Sequence, residues 1–322
     1  MEGIDALAAE TGFSGVVRVD SGGRTFTRAY GFAHRGLRVP NTGGTRFALA
    51  SGTKGVTAVT IAALAERGVL ALDTPARALL GDDLPLIGDA VTVEHLLAHR
   101  SGIGDYCDEE ADRPVTDHIL PVPVHELAAT EDYLRVLDGH LSKFPPGQRF
   151  SYCNSGYVVL ALLAERAAGR PFADLVHDLV CVPAGMTDTA FLRSDEPAAG
   201  VALGYVGERR TNVFHLPVLG SGDGGIYSTA ADVHAFWTAL FAGRIVPPPR
   251  VREMTAAHSD VPEENLRYGL GFWLTGDAVQ LEGYDAGVSF RTVHSGRTTW
   301  TVLSNTSEGA WPIARRIAEL TA

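Results

Sequence analysis

The chain has 322 residues and a formal net charge of −11, with 45% hydrophobic and 20% charged residues. This is the composition of a folded globular protein of one large or two closely joined domains, and it excludes general disorder. The acidic balance, without any lysine or arginine cluster, argues against nucleic acid or an anionic membrane as the main partner, so a small-molecule or peptide-like partner is expected.

The N-terminal stretch MEGIDALAAETGFSG has neither a basic start nor a long apolar run. No run elsewhere approaches the roughly 18 residues of a membrane span, so the expected location is the cytoplasm. Cys107, Cys153 and Cys181 form no CxxC pair and read as free thiols. After an N-terminal helix, SGVVRVD and RTFTRAYGFA are β-rich runs separated by Ser21, Gly22 and Gly23, the pattern of a hairpin. A helix over roughly 52–67 follows, apolar around most of its circumference and therefore expected to be buried on all sides. From about 72 to 220 the chain turns to short helices and Pro/Gly-rich loops, which reads as a mainly helical insertion. Thr229 and Asp232 then give a T-x-x-D capping box at the start of STAADVHAFWTALFAG. Four β-rich runs follow (YGLGFWLT, AVQLEG, GVSFRTVH and TTWTVLSN), closed by a helix near 310–320. Strands at both ends with helices between predict an α/β (α+β) protein: residues 1–70 and 222–322 form one discontinuous sheet domain, and 71–221 a helical domain.

Lys54 and Lys143 are the only lysines among 27 basic residues, and no acidic residue lies between Asp20 and Glu66 to pair with Lys54. Spacing of three in a helix puts Ser51 and Lys54 on one face, with Ser51 at the N-terminal end where free N–H groups and the helix dipole point. Burial and the positive helix end both disfavour an ammonium there, and a neutral amine beside a hydroxyl is a base beside a nucleophile. The same N–H groups suit an oxyanion. An S-x-x-K match arises by chance about one time in ten in a chain of this composition, so the motif needs company. Tyr152 and Asn154, on the turn of FPPGQRFSYCNSGYVVLALLAE, supply it, although each alone has a plain alternative, a half-buried aromatic and an ordinary helix N-cap.

Together, Ser51-x-x-Lys54 and Tyr152-x-Asn154 resemble the active-site motifs of the serine β-lactamase and penicillin-binding protein superfamily, in its class C-like branch with D-alanyl-D-alanine carboxypeptidases and related esterases. FALASGTKGVTA, VTVEHLLAHRSGIGDY, FPPGQRFSYCNSGY, GGIYSTAADVHAF and YGLGFWL are similar to that family's landmarks, in its order. The resemblance implies a β-lactamase/transpeptidase-like fold, with an antiparallel sheet of about five strands and the site between sheet and helical region. It implies Ser51 as acylated nucleophile, Lys54 as its base, Tyr152 as proton shuttle to the leaving group, and Asn154 binding substrate and fixing the lysine. No cofactor or metal is implied. Arginine cannot replace Lys54, because the chemistry needs an amine that can lose its proton.

The family's third motif, lysine or histidine, then serine or threonine, then glycine, is replaced by Leu281-Glu282-Gly283-Tyr284. The missing cation weakens any expectation of efficient β-lactam hydrolysis. It suggests an ester or amide substrate without the usual carboxylate and with a basic group near Glu282. The N–H of Tyr284 remains available as the second oxyanion donor beside that of Ser51, since a backbone group does not depend on side-chain identity. His294, Arg291 and Arg297 are candidates to replace the cation, with solvated strand residues as the plainer reading. GSGDGG at 220–225 lacks a βαβ context, so its glycines are expected to let a loop approach the site. His95 and His99, spaced as in a zinc helix, lack H-E-x-x-H and a third ligand and read as core or supporting residues. Cys153 reads as a packed small residue. The expectation is a serine hydrolase working through an acyl-enzyme. An acyltransferase on the same intermediate, or a non-catalytic binding or sensor protein of this fold, are the alternatives.

Overall fold

The computed structural model describes residues 3–109, 114–196 and 198–321. Its main sheet contains β1 (Gly15–Ser21), β2 (Arg24–Tyr30), β3 (Ser259–Val261), β4 (Leu266–Tyr268), β5 (Trp273–Thr275), β6 (Ala278–Asp285), β7 (Val288–Ser295) and β8 (Thr298–Ser304). Their order is β2-β1-β8-β7-β6-β5-β4-β3, every neighbour antiparallel. The first and last strands pair near one edge of the sheet, with Gly15 opposite Ser304 and Ser21 opposite Thr298. Gly22 and Gly23 close the first hairpin at φ of 57° and 79°, a two-residue turn that a side chain would strain.

The sheet is wider than the five strands expected. YGLGFWLT breaks into β4 and β5 around Gly271, whose φ is 91°, and the three-residue β3 adds an edge too short to leave an alternation in the sequence.

Alternation in the long strands feeds two cores. Val17, Val19, Val293, Trp300 and Val302 face α1 (Ile4–Thr11) and α5 (Ala310–Thr321), meeting Ile4, Ala8, Ile313 and Ile317. On the other face, Val16, Leu281, Phe290 and Leu303 join α2 (Thr53–Glu66), α3 (Asn154–Ala168) and α4 (Ala230–Phe241) in a core that continues into the helical region through Leu96 and Leu163. Every residue of α2 from Thr53 to Leu64 is buried, as its uninterrupted apolar circumference predicts. At the start of α4 only half of the capping box forms. Thr229 Oγ1 accepts from Asp232 N at 3.1 Å, whereas the Asp232 carboxylate accepts from Asp188 N and Thr189 Oγ1, tying in the preceding loop instead.

Candidate active site

Ser51 lies in a short 3-10 turn, Ala50–Gly52, that runs directly into α2. Ala50 sits at φ 45°, a left-handed conformation that costs a non-glycine residue about 1–3 kcal/mol. Surrounding bonds hold it there. Thr53 Oγ1 donates to Ala50 O at 2.7 Å and accepts from Ile226 N at 3.2 Å, while Leu49 N donates to Ile226 O at 2.9 Å. The turn therefore presents Ser51 at the positive end of a fully enclosed helix.

Lys54, one helical turn on, is 2% exposed. Its Nζ lies 3.0 Å from Ser51 Oγ, 2.8 Å from Asn154 Oδ1 and 2.9 Å from the Asp223 carbonyl oxygen. The last two groups can only accept. They fix two N–H bonds of the amine, so in its neutral form the lone pair is left pointing at the Ser51 hydroxyl.

Asn154 is the first residue of α3, but it does not cap the helix. Asp105 does so from another segment, its carboxylate accepting from Asn154 N at 2.7 Å, Ser155 N at 2.9 Å and Cys107 N at 3.2 Å. The Asn154 side chain is thereby free to reach Lys54 with Oδ1 and to donate from Nδ2 to Cys107 O and Glu109 Oε1. Tyr152 hydrogen-bonds the Ser51 side chain. Its ring lies under Lys54 Nζ at 4.9 Å, against His99 at 4.3 Å and stacked with Trp273 at 6.0 Å. Burial, reinforced by Glu109, pushes its phenol well above the usual range, so Tyr152 stays protonated and has a proton to give.

The two spaced histidines part company. His95 Nδ1 accepts from Thr92 N in a cap, while His99, fully buried at φ 53°, accepts from Cys153 N at 3.1 Å and supports the Tyr152 ring. Burial keeps His99 well below its normal pKa, hence neutral, and lifts the Cys153 thiol well above its own, which makes that thiol a poor nucleophile.

The altered third motif lies on β6. Leu281 packs over Gly55 of α2, where any larger residue would meet it, so the family's cation position is occupied by core packing. Glu282 points to the opposite side and forms a cross-strand ion pair with Arg291 at 2.6 Å, and Arg291 lies over the Trp311 ring. This corrects the sequence-based placement of a substrate's basic group at Glu282: the carboxylate is already neutralised and is not among the residues lining the cavity beside Ser51. His294 is stacked on Phe241 and Trp237, and Arg297 is exposed in the β7–β8 turn, so neither they nor Arg291 take the missing cation's place at the cavity. Gly283 runs against the nucleophile turn. A Cβ there would lie 2.9 Å from both Ser51 N and Ala50 Cβ, and closer still to Leu49 O. Tyr284 follows, half-exposed, its hydroxyl donating to Glu308 Oε1 at 2.6 Å.

Beside Ser51 opens a cavity of about 510 Å³. Leu120, Leu192, Val213 and Val218 give it an apolar wall, and Asp105, Asp223 and Asp285 lie on its polar side. The glycine-rich loop forms part of it. Gly222 packs against Tyr157 O, its carbonyl accepts from Thr57 Oγ1, and Asp223 accepts from the Tyr106 hydroxyl at 2.5 Å. Sequence reasoning found Ser51, Lys54, Tyr152 and Asn154, read His99 as a core or supporting residue, and missed three further groups that hold them: Asp105, Tyr106 and Asp223. The signal was partly present, since Asp105 and Tyr106 close the HRSGIGDY run and Asp223 sits inside GSGDGG.

Comparison with known proteins agrees with this geometry. The sequence model of the Beta-lactamase family matches residues 4–321. The crystal structure of a penicillin binding protein from Bacillus halodurans superposes with a TM-score of 0.93 at 34% identity, covering 98% of this chain and 99% of that one. Esterase EstB of Burkholderia gladioli is 36% identical over 53% of this chain and 44% of its own length. A D-aminopeptidase of Brucella anthropi is 32% identical over 72% of this chain and 43% of its own length. The chain thus spans under half of these two curated relatives. No described helix is long and apolar enough to cross a membrane. With the family match running from the first helix to the last, the chain belongs to the β-lactamase family of serine hydrolases.

Proposed function

We propose that the protein hydrolyses an ester or amide through an acyl-enzyme on Ser51, with a substrate that needs no carboxylate receptor. The observation that carries this reading is the 3.0 Å approach of Lys54 Nζ to Ser51 Oγ, with the amine's other two directions fixed by Asn154 and Asp223. In the first half-reaction the Ser51 hydroxyl proton passes to the Lys54 lone pair as Oγ bonds to the substrate carbonyl carbon. The carbonyl oxygen becomes the oxyanion, received by the N–H groups of Ser51 and Tyr284. Tyr152 gives its proton to the leaving alcohol or amine and is reprotonated from Lys54, which returns the amine to its neutral state. Water then repeats the sequence on the acyl-enzyme and releases the acid.

The substrate side of the proposal rests on β6. With Leu281 in the core, Glu282 paired to Arg291, and no lysine or arginine among the described residues lining the cavity, a substrate carboxylate finds none of the permanently charged partners that would hold it. This favours esterase, peptidase or amidase activity over efficient β-lactam turnover, as do the EstB and D-aminopeptidase relatives. Intact-mass measurement after treatment with a fluorophosphonate, beside a panel of esters, amides and β-lactams, tests it. The expected result is one adduct on the wild type and none on Ser51→Ala, with ester or amide turnover exceeding β-lactam turnover. Equal labelling of the two proteins would remove Ser51 from the mechanism.

A further inference from the structure

We propose that Asp285 forms a cation-binding subsite in the reaction cavity, so that the preferred substrate carries an ammonium or similar cation on its acyl part. This rests on the acyl-enzyme reading above and adds the class of acyl group.

Five carboxylates among the described residues line the cavity, and four have work to do within the fold. Asp105 caps α3, Asp108 pairs with Lys143 at 2.8 Å, Glu109 accepts from Asn154 Nδ2 at 3.2 Å, and Asp223 accepts from Tyr106 at 2.5 Å. Asp285 alone has no side-chain hydrogen bond or ion pair among the described residues, although it is partly buried at the end of β6. The area the residue retains opens on the cavity. A carboxylate taken out of water without a partner is a standing cost to the fold, and a bound cation offsets it.

Position gives the acyl assignment. Asp285 lies on the same face of β6 as Gly283, two residues further along, or about 7 Å at the usual rise of a strand. The strand therefore carries its cation receptor just beyond the oxyanion donor. Tyr152, the proton donor to the leaving group, does not line this cavity, whereas Ser51, Asp223 and Asp285 do. A group reaching Asp285 thus belongs to the part that remains on Ser51. The apolar part of the lining, with Leu120, Val213 and Val218, suits the methylenes or methyl groups that accompany such a cation.

The test compares 4-nitrophenyl esters of 4-(trimethylammonio)butanoate and of 5,5-dimethylhexanoate, which have nearly the same shape and differ in charge, together with homologues one and two methylenes longer. The expected kcat/KM ratio, cation over neutral, is about tenfold to a hundredfold for the best chain length in the wild type. In Asp285→Asn it falls to near one, while a Gln280→Glu variant, which adds charge elsewhere on β6, leaves it unchanged. A wild-type ratio at or below one for every length overturns the proposal, as does a ratio that survives Asp285→Asn. Fluorophosphonate labelling of the same samples separates the two levels: labelled Ser51 with no charge preference sinks the subsite alone, and unlabelled Ser51 sinks the acyl-enzyme.

Discussion

Replacing Gly283 with alanine perturbs the place where the backbone of β6 touches the nucleophile turn. The new Cβ would stand 2.9 Å from Ala50 Cβ and Ser51 N and nearer still to the Leu49 carbonyl. Carbon atoms settle at about 3.5–4.0 Å, so the strand or the turn must retreat by roughly 1 Å. Neither neighbour is the end of a flexible side chain, and Ala50 is already held at positive φ, so β6 is the part that gives. Beyond Gln280 its edge is unpaired on the β5 side, which permits that movement. The retreat carries the Tyr284 N–H away from the oxyanion. Losing one such donor costs about 100-fold to 1000-fold in kcat, and a misplacement of about 1 Å around 100-fold. The expected outcome for Gly283→Ala is a kcat for a simple 4-nitrophenyl ester about 100-fold below wild type, with the cooperative melt retained. Gly88→Ala, where an added Cβ meets nothing within 4 Å, serves as the control. A Gly283→Ala enzyme within threefold of wild type would refute the assignment of the β6 backbone to the oxyanion site.

Lys54→Arg installs a permanent cation with no lone pair to offer, and it is expected to lower kcat by about 100-fold to 10,000-fold with no recovery when ester hydrolysis is followed at higher pH. Asp105→Asn trades a carboxylate accepting from three N–H groups for an amide that also presents donors; denaturant melts should show a loss of about 1–3 kcal/mol, and the Asn154 contact to Lys54 should loosen, lowering kcat as well. His234, 4% exposed and bound to Asp20 through Nδ1 at 2.7 Å, is held at about 4 by burial, against 6.5 unperturbed. Because the folded pKa is depressed, its stabilisation is complete above about pH 6.5 and is lost as pH falls toward 4, on the order of 3 kcal/mol in all; the pH dependence of Tm in that window should flatten in His234→Gln. Burial lifts the Asp285 carboxyl to about 7, with Asp223 and Glu109 adding to the rise and Lys54 opposing it, while Tyr106, Cys107 and Tyr133 around it stay neutral. The cationic ester's advantage should therefore grow as pH rises through about 7, and a flat ratio from pH 6 to 8 would contradict it.

Much of this was legible from the residues. Lys54 stood out because it is one of two lysines and has no local carboxylate, and the burial of α2 followed from an apolar circumference. What escaped was whatever acts across long separations. Asp105 caps a helix 49 residues away, and nothing near Asn154 announces it. The identity of residue 282 was plain, but its neutralisation by Arg291 depends on the register of β6 against β7. The inference from Glu282 failed for that reason, although the idea of an acid near the substrate reappears three residues along at Asp285, where the pleat points to the cavity. Short strands such as Ser259–Val261 carry too few residues for a period of two to show.

The pairing of Gly15 with Ser304 also bears on how the molecule is made. β1 waits until the chain has been made as far as β8 before it gains that neighbour, so the Val-rich hairpin is unpaired on one side while everything between them is synthesised. Contacts of such long separation slow the final step of folding. Until that neighbour arrives, the free edge of β1 is open to pairing with another chain.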